Sequence, residues 1–175
     1  MFRVVTDFKK YIGEYLVEGN PIDYYRNHEI IKAFPLHKFT LHFSELISQL
    51  KEKITKLINK DSKDGDMIII HDDDEVELME QTEFFRKYEK NKDKYISKQP
   101  LVDVIELNED IMVLMPGIEQ VYYTGDFINV TDENNMFVMP KKEFLKRYSL
   151  CDKNGIFKDK KLREKFRQDD IENVK

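Results

Sequence analysis

An internal duplication constrains the fold of this chain more than any other feature of the sequence. The stretch from Gly125 to Tyr148 matches the stretch from Gly65 to Tyr88 without a gap, at an offset of 60 residues. Eight of the 24 aligned positions are identical, whereas unrelated segments would share roughly one or two. The chain therefore contains two copies of one structural module.

Both copies have the same internal pattern. A Gly-Asp pair precedes a short apolar run, which predicts a strand at Met67–Ile70 and another at Phe127–Val130. Turn-forming residues follow, and then a second apolar run that predicts a return strand. Phe84 and Phe144 each lie four residues before a tyrosine, a spacing that predicts a short helix with an aromatic face. Each copy is therefore expected to be a β-hairpin followed by a helix.

The sequence outside the duplication predicts three further helices. Asp7 can cap a helix that continues to about residue 18. Between Phe43 and Lys60 the apolar residues recur at spacings of three and four, which predicts an amphipathic helix. A charged stretch from Lys158 to Asn173, with a narrow apolar set that includes Ile171, predicts the third helix.

A fainter likeness lies upstream of the two copies. We interpret Pro35 to Leu41 as a strand that matches the strand from Pro100 to Leu107. The amphipathic helix then occupies the place where the second copy has further β-structure. We expect two related β-rich units that differ by an insertion or a replacement at this place.

These elements predict an α+β fold with two tandem hairpin-plus-helix modules packed together, an N-terminal helix, an inserted amphipathic helix and a C-terminal helix. The predicted segments are an N-terminal helical segment at 1–34, a first repeat module at 35–95, a second repeat module at 96–150 and a charged C-terminal helix at 151–175.

The charge of the chain is concentrated in one place. The segment from Asp61 to Glu80 has nine acidic residues against Lys63 alone, a local charge of −8 within a total of −5, which leaves +3 elsewhere. The remaining basic residues form no stripe of the kind that follows a nucleic-acid backbone. No apolar run approaches the roughly 20 residues that cross a bilayer. We therefore expect neither nucleic acid nor a membrane as a partner.

The single cysteine and the N-terminus indicate the compartment. Cys151 has no second cysteine to pair with, which agrees with a reducing environment. The N-terminal residues lack the uninterrupted apolar region of a signal peptide. We expect a location in the cytoplasm of a host cell or in a virion.

The acidic turn and a tyrosine pair supply the candidate site residues. Asp72, Asp73 and Asp74 are hard oxygen ligands that suit Mg²⁺ or Ca²⁺, and the adjacent His71 would then serve as a base. We favour a different interpretation, in which these carboxylates cap the amides of a hairpin tip. No cofactor is therefore predicted, and a divalent cation at these three residues is the alternative.

Tyr122 and Tyr123 would either stack on a ligand ring or pack as half-buried strand residues. Together with His71 and Asp72, they are the candidate ligand-binding residues. No catalytic residue is assigned.

The second copy contains the segments GDFINV and MPKKEFLKRY. This pattern resembles that of the small PGDYG-type proteins of bacteriophages and bacteria, whose biochemical role is not established. The resemblance extends over Pro100–Tyr148 and, more faintly, over Pro35–Tyr88. It departs from the pattern at Thr124 and Asp64, where a proline would precede the glycine, and it lacks the final Tyr-Gly. The resemblance implies no catalytic residue, and it favours a viral or phage origin.

The sequence contains none of the common phosphate-loop, metalloprotease, CxxC or serine-hydrolase motifs. We therefore expect a non-enzymatic binding or assembly protein that acts through protein–protein contacts of its two modules, and a homo-oligomer is one form that these contacts would take. The alternative is a small-molecule site in a cleft between the modules, for a nucleotide-like ligand or for metal-assisted hydrolysis.

Overall fold

The duplicated stretches form the same elements in a computed structural model of the chain, which describes residues 2–168. The strands are β1 (Arg3–Val5), β2 (Asp23–Asn27), β3 (Lys32–Pro35), β4 (Met67–Ile70), β5 (Val76–Met79), β6 (Tyr88–Asn91), β7 (Lys94–Ser97), β8 (Leu101–Glu106), β9 (Ile111–Met115), β10 (Ile118–Tyr122), β11 (Phe127–Asn129), β12 (Phe137–Met139) and β13 (Tyr148–Cys151). The helices are α1 (Phe8–Val17), α2 (Phe39–His42), α3 (Ser48–Leu57), α4 (Gln81–Lys87), α5 (Lys141–Arg147) and α6 (Lys160–Lys165), with single 3₁₀ turns at Leu36–Lys38 and Phe43–Glu45. The predicted α+β class is confirmed.

The elements group into two compact units. The first unit combines the chain up to His28 with the chain from Leu101 onward, and the second unit is Glu29–Pro100. The second unit is therefore inserted into the sequence of the first, between β2 and β8. The four sequence segments proposed above stay a prediction.

The first unit contains a five-stranded antiparallel sheet and a three-stranded sheet. The five strands lie in the order β12-β11-β8-β2-β13. In the smaller sheet, β9 pairs with β1 in parallel and with β10 antiparallel. Asp7 caps α1 by accepting a hydrogen bond from the amide of Lys10, and the helix buries Tyr11, Ile12 and Tyr15 in a core shared with both sheets. The predicted N-terminal helix is confirmed.

The second unit repeats this strand order. β3, β4 and β5 form an antiparallel sheet, and β6 pairs with β7. Ile31 and Tyr95 join the two groups, because each donates its N–H to the carbonyl of the other at 2.9 Å. The resulting order, β5-β4-β3-β7-β6, corresponds strand by strand to the five-stranded sheet of the first unit. The position of β7 is taken in the first unit by β2, which comes from the N-terminal part of the chain.

The predicted hairpin-plus-helix repeat is confirmed at the level of register. Met67 lies opposite Met79 in one hairpin, and Phe127 lies opposite Met139 in the other, at the same offset of 60 residues. The helices α4 and α5 are both seven residues long and end immediately before a tyrosine that begins the next strand. Within residues 2–168, no helix has the length and apolar character needed to cross a bilayer.

The predicted strand at Pro35–Leu41 is wrong. The strand β3 ends at Pro35, and the chain continues as a 3₁₀ turn and the short helix α2. Phe39 and Phe43 pack edge to face with centroids 5.5 Å apart, an i, i+4 contact of helical rather than extended chain. Two Pro-Leu pairs, at residues 35–36 and 100–101, produced the false match in the sequence.

The true counterpart of β8 is β3. The amide of Leu36 donates to the carbonyl of Asp66 at 2.7 Å, and the amide of Leu107 donates to the carbonyl of Asp126 at 3.0 Å. The segment after β3 contains α3, whereas the segment after β8 contains the hairpin of β9 and β10. The first copy therefore has a helix where the second copy has β-structure, as expected.

Two of the predicted helices differ in length from the structure. The amphipathic helix begins only at Ser48, because the chain is extended at Leu46 and Ile47, and α3 buries Leu50 and Ile54. Asp159 caps α6, which ends at Lys165. Residues 169–173 of the predicted C-terminal helix, including Ile171, lie outside the described residues.

Candidate functional site

The acidic segment forms the tip of the β4–β5 hairpin. The amide of His71 donates to the carbonyl of Glu75 at 2.9 Å, and the amide of Asp74 donates to the carbonyl of His71 at 3.0 Å. The carboxylate of Asp73 accepts from the amide of Glu75 at 3.2 Å. In the other hairpin, Asp132 accepts from the amide of Asn134 in the same way, at 2.9 Å. One aspartate in each tip therefore caps the turn.

A search of the described residues for clusters of metal-ligating side chains finds none. Across residues 2–168, no group of three or more His, Cys, Asp or Glu side chains has an arrangement that would hold a metal ion. The proposal of a cation at Asp72, Asp73 and Asp74 stays a prediction from the sequence.

His71 lies between two carboxylates. Its Nδ1 is 3.1 Å from Oε2 of Glu29, and its Nε2 is 3.1 Å from Oε2 of Glu77. The side chains of His71 and Glu29 are only 10% and 5% exposed. Both ring nitrogens can donate only in the doubly protonated imidazolium, the form that two ionised carboxylates attract. With a carboxylate at each nitrogen, the ring is arranged as part of an ion-pair network and not as a base open to a substrate.

Sequence reasoning missed Glu29. It lies 42 residues before His71 and precedes β3, in a stretch whose secondary structure the sequence left ambiguous. The only signal was a carboxylate directly before two isoleucines, which places it beside a buried strand.

A cavity of about 340 Å³ in the second unit brings together three of the predicted site residues, His71, Asp72 and Asp74. The rest of its wall comes from β3 and the residues before it, from β4 and β7, and from α3 and the segment that leads into it. These residues are Ile30, Lys32, Glu45, Leu46, Ile47, Leu50, Ile70 and Lys94. Its wall is therefore apolar in part and carries charges of both signs.

Tyr122 and Tyr123 belong to the first unit, whereas His71 and Asp72 belong to the second. The ring of Tyr122 packs on Phe8 with centroids 5.7 Å apart, and burial raises the pKa of its phenol. Tyr123 is 56% exposed and meets Phe2 edge to face at 5.9 Å. Tyr122 is thus a packing residue, and Tyr123 is accessible.

The three-stranded sheet of the first unit has an apolar surface, which we name the outer face. Val4, Met112 and Val121 lie directly opposite one another across β1, β9 and β10. Val4 is 57% exposed, and Leu114, two residues along β9 from Met112, is also exposed. Phe2 and Tyr123 extend the outer face at the end of the sheet. The opposite side of the sheet is filled by core residues that include Val5, Ile111 and Val113.

Comparison with models of known protein families, with characterised proteins and with solved structures finds no match for this chain. The resemblance to PGDYG-type proteins stays a prediction. The function of this chain is therefore inferred from the outer face and from the cavity.

Proposed function

We propose that the chain is a non-enzymatic binding protein, and that its first unit binds an extended segment of a partner protein along β10. The observation that carries the proposal is the outer face itself, since contiguous exposed apolar surface marks protein interaction sites. The outer face runs to an edge of its sheet, because β10 pairs with β9 and no other described strand pairs with it. An exposed edge beside an apolar surface suits the addition of a strand from a partner.

Glu119 indicates what the added strand carries. It lies on the outer face opposite Leu114, and no basic side chain of residues 2–168 lies within 4.0 Å of its carboxylate. A basic residue in the added strand would stand beside it, and opposite charges across strands stabilise a sheet. Val121 and Tyr123 follow at intervals of two on the same face, and they would contact apolar residues of the partner.

The partner segment is therefore expected to carry one basic residue and two apolar residues, with one position between each residue and the next. The positions between them face the other side of the sheet. The first unit, residues 1–28 and 101–175, has 19 acidic and 16 basic residues. Its net charge of −3 also favours a basic partner, because complementary charge speeds association.

Selection from a library of displayed random peptides of about ten residues, the length of a long strand, tests the proposal. We expect the wild-type chain to enrich the alternating basic and apolar pattern. In the Glu119→Lys variant, the enriched charge should change from basic to acidic. Glu133→Lys is the matched control, because Glu133 is an exposed acid in the β11–β12 turn of the same unit, and it should leave the pattern unchanged.

Three results would overturn the proposal. The first is the absence of enrichment. The second is binding of the selected peptides to Val121→Asp as tightly as to the wild type. The third is a stable dimer in size-exclusion chromatography with light scattering that Val121→Asp converts to a monomer, because the outer face would then bind a second copy of the chain.

A further inference from the structure

Two lysines lie next to the contact between β3 and β7. Ile31 and Tyr95 exchange both backbone hydrogen bonds, at 2.9 Å each, and form an isolated bridge. Lys32 follows Ile31 on one strand, and Lys94 precedes Tyr95 on the other. Both lysines line the same cavity.

The fold shared by the two units does not require this pair of cations. Like charges that lie close together repel each other, and the repulsion is destabilising. Among residues 2–168, neither ammonium group has a carboxylate within 4.0 Å. At the corresponding positions of the first unit, Tyr24 lies opposite Asp103. A ligand that brings an anionic group between the two lysines would relieve the repulsion.

Both lysines line the 340 Å³ cavity, and so do the acidic residues Glu45, Asp72 and Asp74. Across the sheet, β3 and β7 carry the lysines, whereas the turn that connects β4 and β5 carries Asp72 and Asp74. Lys53 of α3 donates to the backbone carbonyl of Asp74 at 2.9 Å, so the acidic turn lies against α3. The two lysines therefore come from strands, and the two aspartates come from a hairpin turn.

Apolar side chains complete the wall. Leu46, Leu50 and Ile70 line the cavity, and Leu50 and Ile70 also belong to the core of this unit. The volume of about 340 Å³ is near the lower end of the range of about 300 to 1,000 Å³ typical of ligand pockets. The cavity suits a small ligand with an apolar body.

We propose that this cavity binds a small zwitterion with an apolar body, in the class of apolar amino acids and dipeptides. Lys32 and Lys94 bind the carboxylate, and the turn with Asp72 and Asp74 receives the ammonium group. The apolar side chain lies against Leu46, and His71, paired with Glu29 and Glu77, forms a fixed part of the wall.

Isothermal titration calorimetry of the full chain with L-leucyl-L-leucine tests this assignment. The dipeptide should bind, whereas N-acetyl-leucyl-leucine, which lacks the ammonium group, and leucyl-leucinamide, which lacks the carboxylate, should each bind about tenfold more weakly or worse, as expected for the loss of a charge-assisted contact. Lys32→Gln and Lys94→Gln should each weaken the binding of the dipeptide by a similar factor. Both variants should leave the binding of leucyl-leucinamide unchanged. Lys90→Gln is the matched control, because Lys90 is an exposed lysine of β6 outside the cavity wall.

Circular dichroism and thermal unfolding would show that each variant is folded. Absence of dipeptide binding to the folded wild type would overturn the proposal. Equal affinity for the dipeptide and its N-acetyl derivative would also overturn it. The cavity would then bind the carboxylate, and the ammonium group would contribute nothing to binding.

Discussion

The ring of Phe144 stacks on the ring of Tyr148, with centroids 4.4 Å apart and planes inclined by 11°. Phe84 and Tyr88 repeat this relationship in the second unit, at 5.1 Å and 25°. The stacking joins the helix to the first residue of the strand that follows it. The duplication therefore preserves a packing contact as well as a pattern of elements.

Phe84 and Phe144 each contact a second tyrosine, which lies on a neighbouring strand. Tyr25 of β2 packs on Phe144 at 5.2 Å, and Tyr95 of β7 packs on Phe84 at 5.0 Å. These tyrosines occupy equivalent strands, although β2 precedes its helix in the sequence and β7 follows its own. The same three-ring cluster thus stabilises both units.

Removing the central ring of either cluster should destabilise the protein strongly. Phe84 and Phe144 are 0% and 8% exposed, so replacement of either by alanine should lower the free energy of unfolding by about 3 to 5 kcal/mol. Urea denaturation followed by circular dichroism measures the loss. Phe85→Ala is the matched control, since the exposed Phe85 should lose only about 1 kcal/mol. Equal losses for Phe84 and Phe85 would show that the cluster is not a centre of stability.

The repeated hairpin and helix could be predicted from the sequence because their information is local. The apolar runs, the turn residues and the spacing of Phe84 to Tyr88 all lie within one stretch of 24 residues. The strands that complete the sheets could not be predicted in this way. β2 pairs with β8, for example with Asp23 opposite Val104, and the whole second unit lies between them in the sequence.

The candidate site could also be predicted only where its residues lie in one stretch of the sequence. The turn residues Asp72 to Asp74 were identified because consecutive carboxylates are visible in one stretch. The partner Glu29 and the opposed lysines depend on strand pairing between distant segments, which leaves no periodic signal. The exposed outer face was hidden for another reason, since an alternating strand does not reveal which of its faces the core covers.

The hairpin tip should tolerate glycine at one acidic position and not at its neighbour. Asp74 has a φ of +63°, a left-handed conformation in which glycine has no steric cost. Asp74→Gly should therefore raise the free energy of unfolding by up to about 1 kcal/mol. Asp73→Gly, the matched control, removes the acceptor for the amide of Glu75 and should lower it by about 1 kcal/mol. Thermal unfolding in the absence of ligand would compare them, and a loss for both variants would contradict this account of the turn.

Reversing one charge of the lysine pair should stabilise the second unit. Lys94→Glu places opposite charges across β3 and β7, which should raise the free energy of unfolding by about 0.2 to 1 kcal/mol. The gain should decrease at high salt, because exposed charges are screened. Lys90→Glu makes the same change of net charge opposite Tyr95, where no cation faces it, and should give no such gain. If the two variants had equal effects in urea denaturation at low and high salt, Lys32 and Lys94 would not repel each other.

Cys151 should make the protein less stable in alkaline solution. Burial raises the pKa of its thiol from 9.0 to about 11. The folded state therefore holds a proton that the unfolded state releases, so the contribution to stability is complete below pH 9 and is lost as the pH rises to about 11. Tyrosines with raised pKa values, such as Tyr25, act in the same direction.

The comparison with Cys151→Ala isolates the thiol. The variant should be less stable than the wild type at pH 8, and the difference between the two should shrink as the pH approaches 11. Urea denaturation at intervals of pH measures both proteins. A constant difference across this range would mean that the thiol does not titrate differently in the folded and unfolded states.

The network around His71 gives the last prediction. Replacement of His71 by leucine removes the group that faces the carboxylate of Glu29, whose side chain is only 5% exposed. Breaking a buried charged pair from one side is strongly destabilising, so His71→Leu should lower the free energy of unfolding by about 3 kcal/mol. Glu77 is more exposed, and Glu77→Gln should cost about 1 kcal/mol or less.

The double variant His71→Leu with Glu29→Met removes both partners and should recover much of the loss, because a buried ion pair and an apolar pair of similar size are often comparable in stability. Urea denaturation of the wild type, His71→Leu, Glu29→Met and the double variant gives the coupling free energy between His71 and Glu29. Additive losses in that cycle would show that the two side chains do not act as a pair.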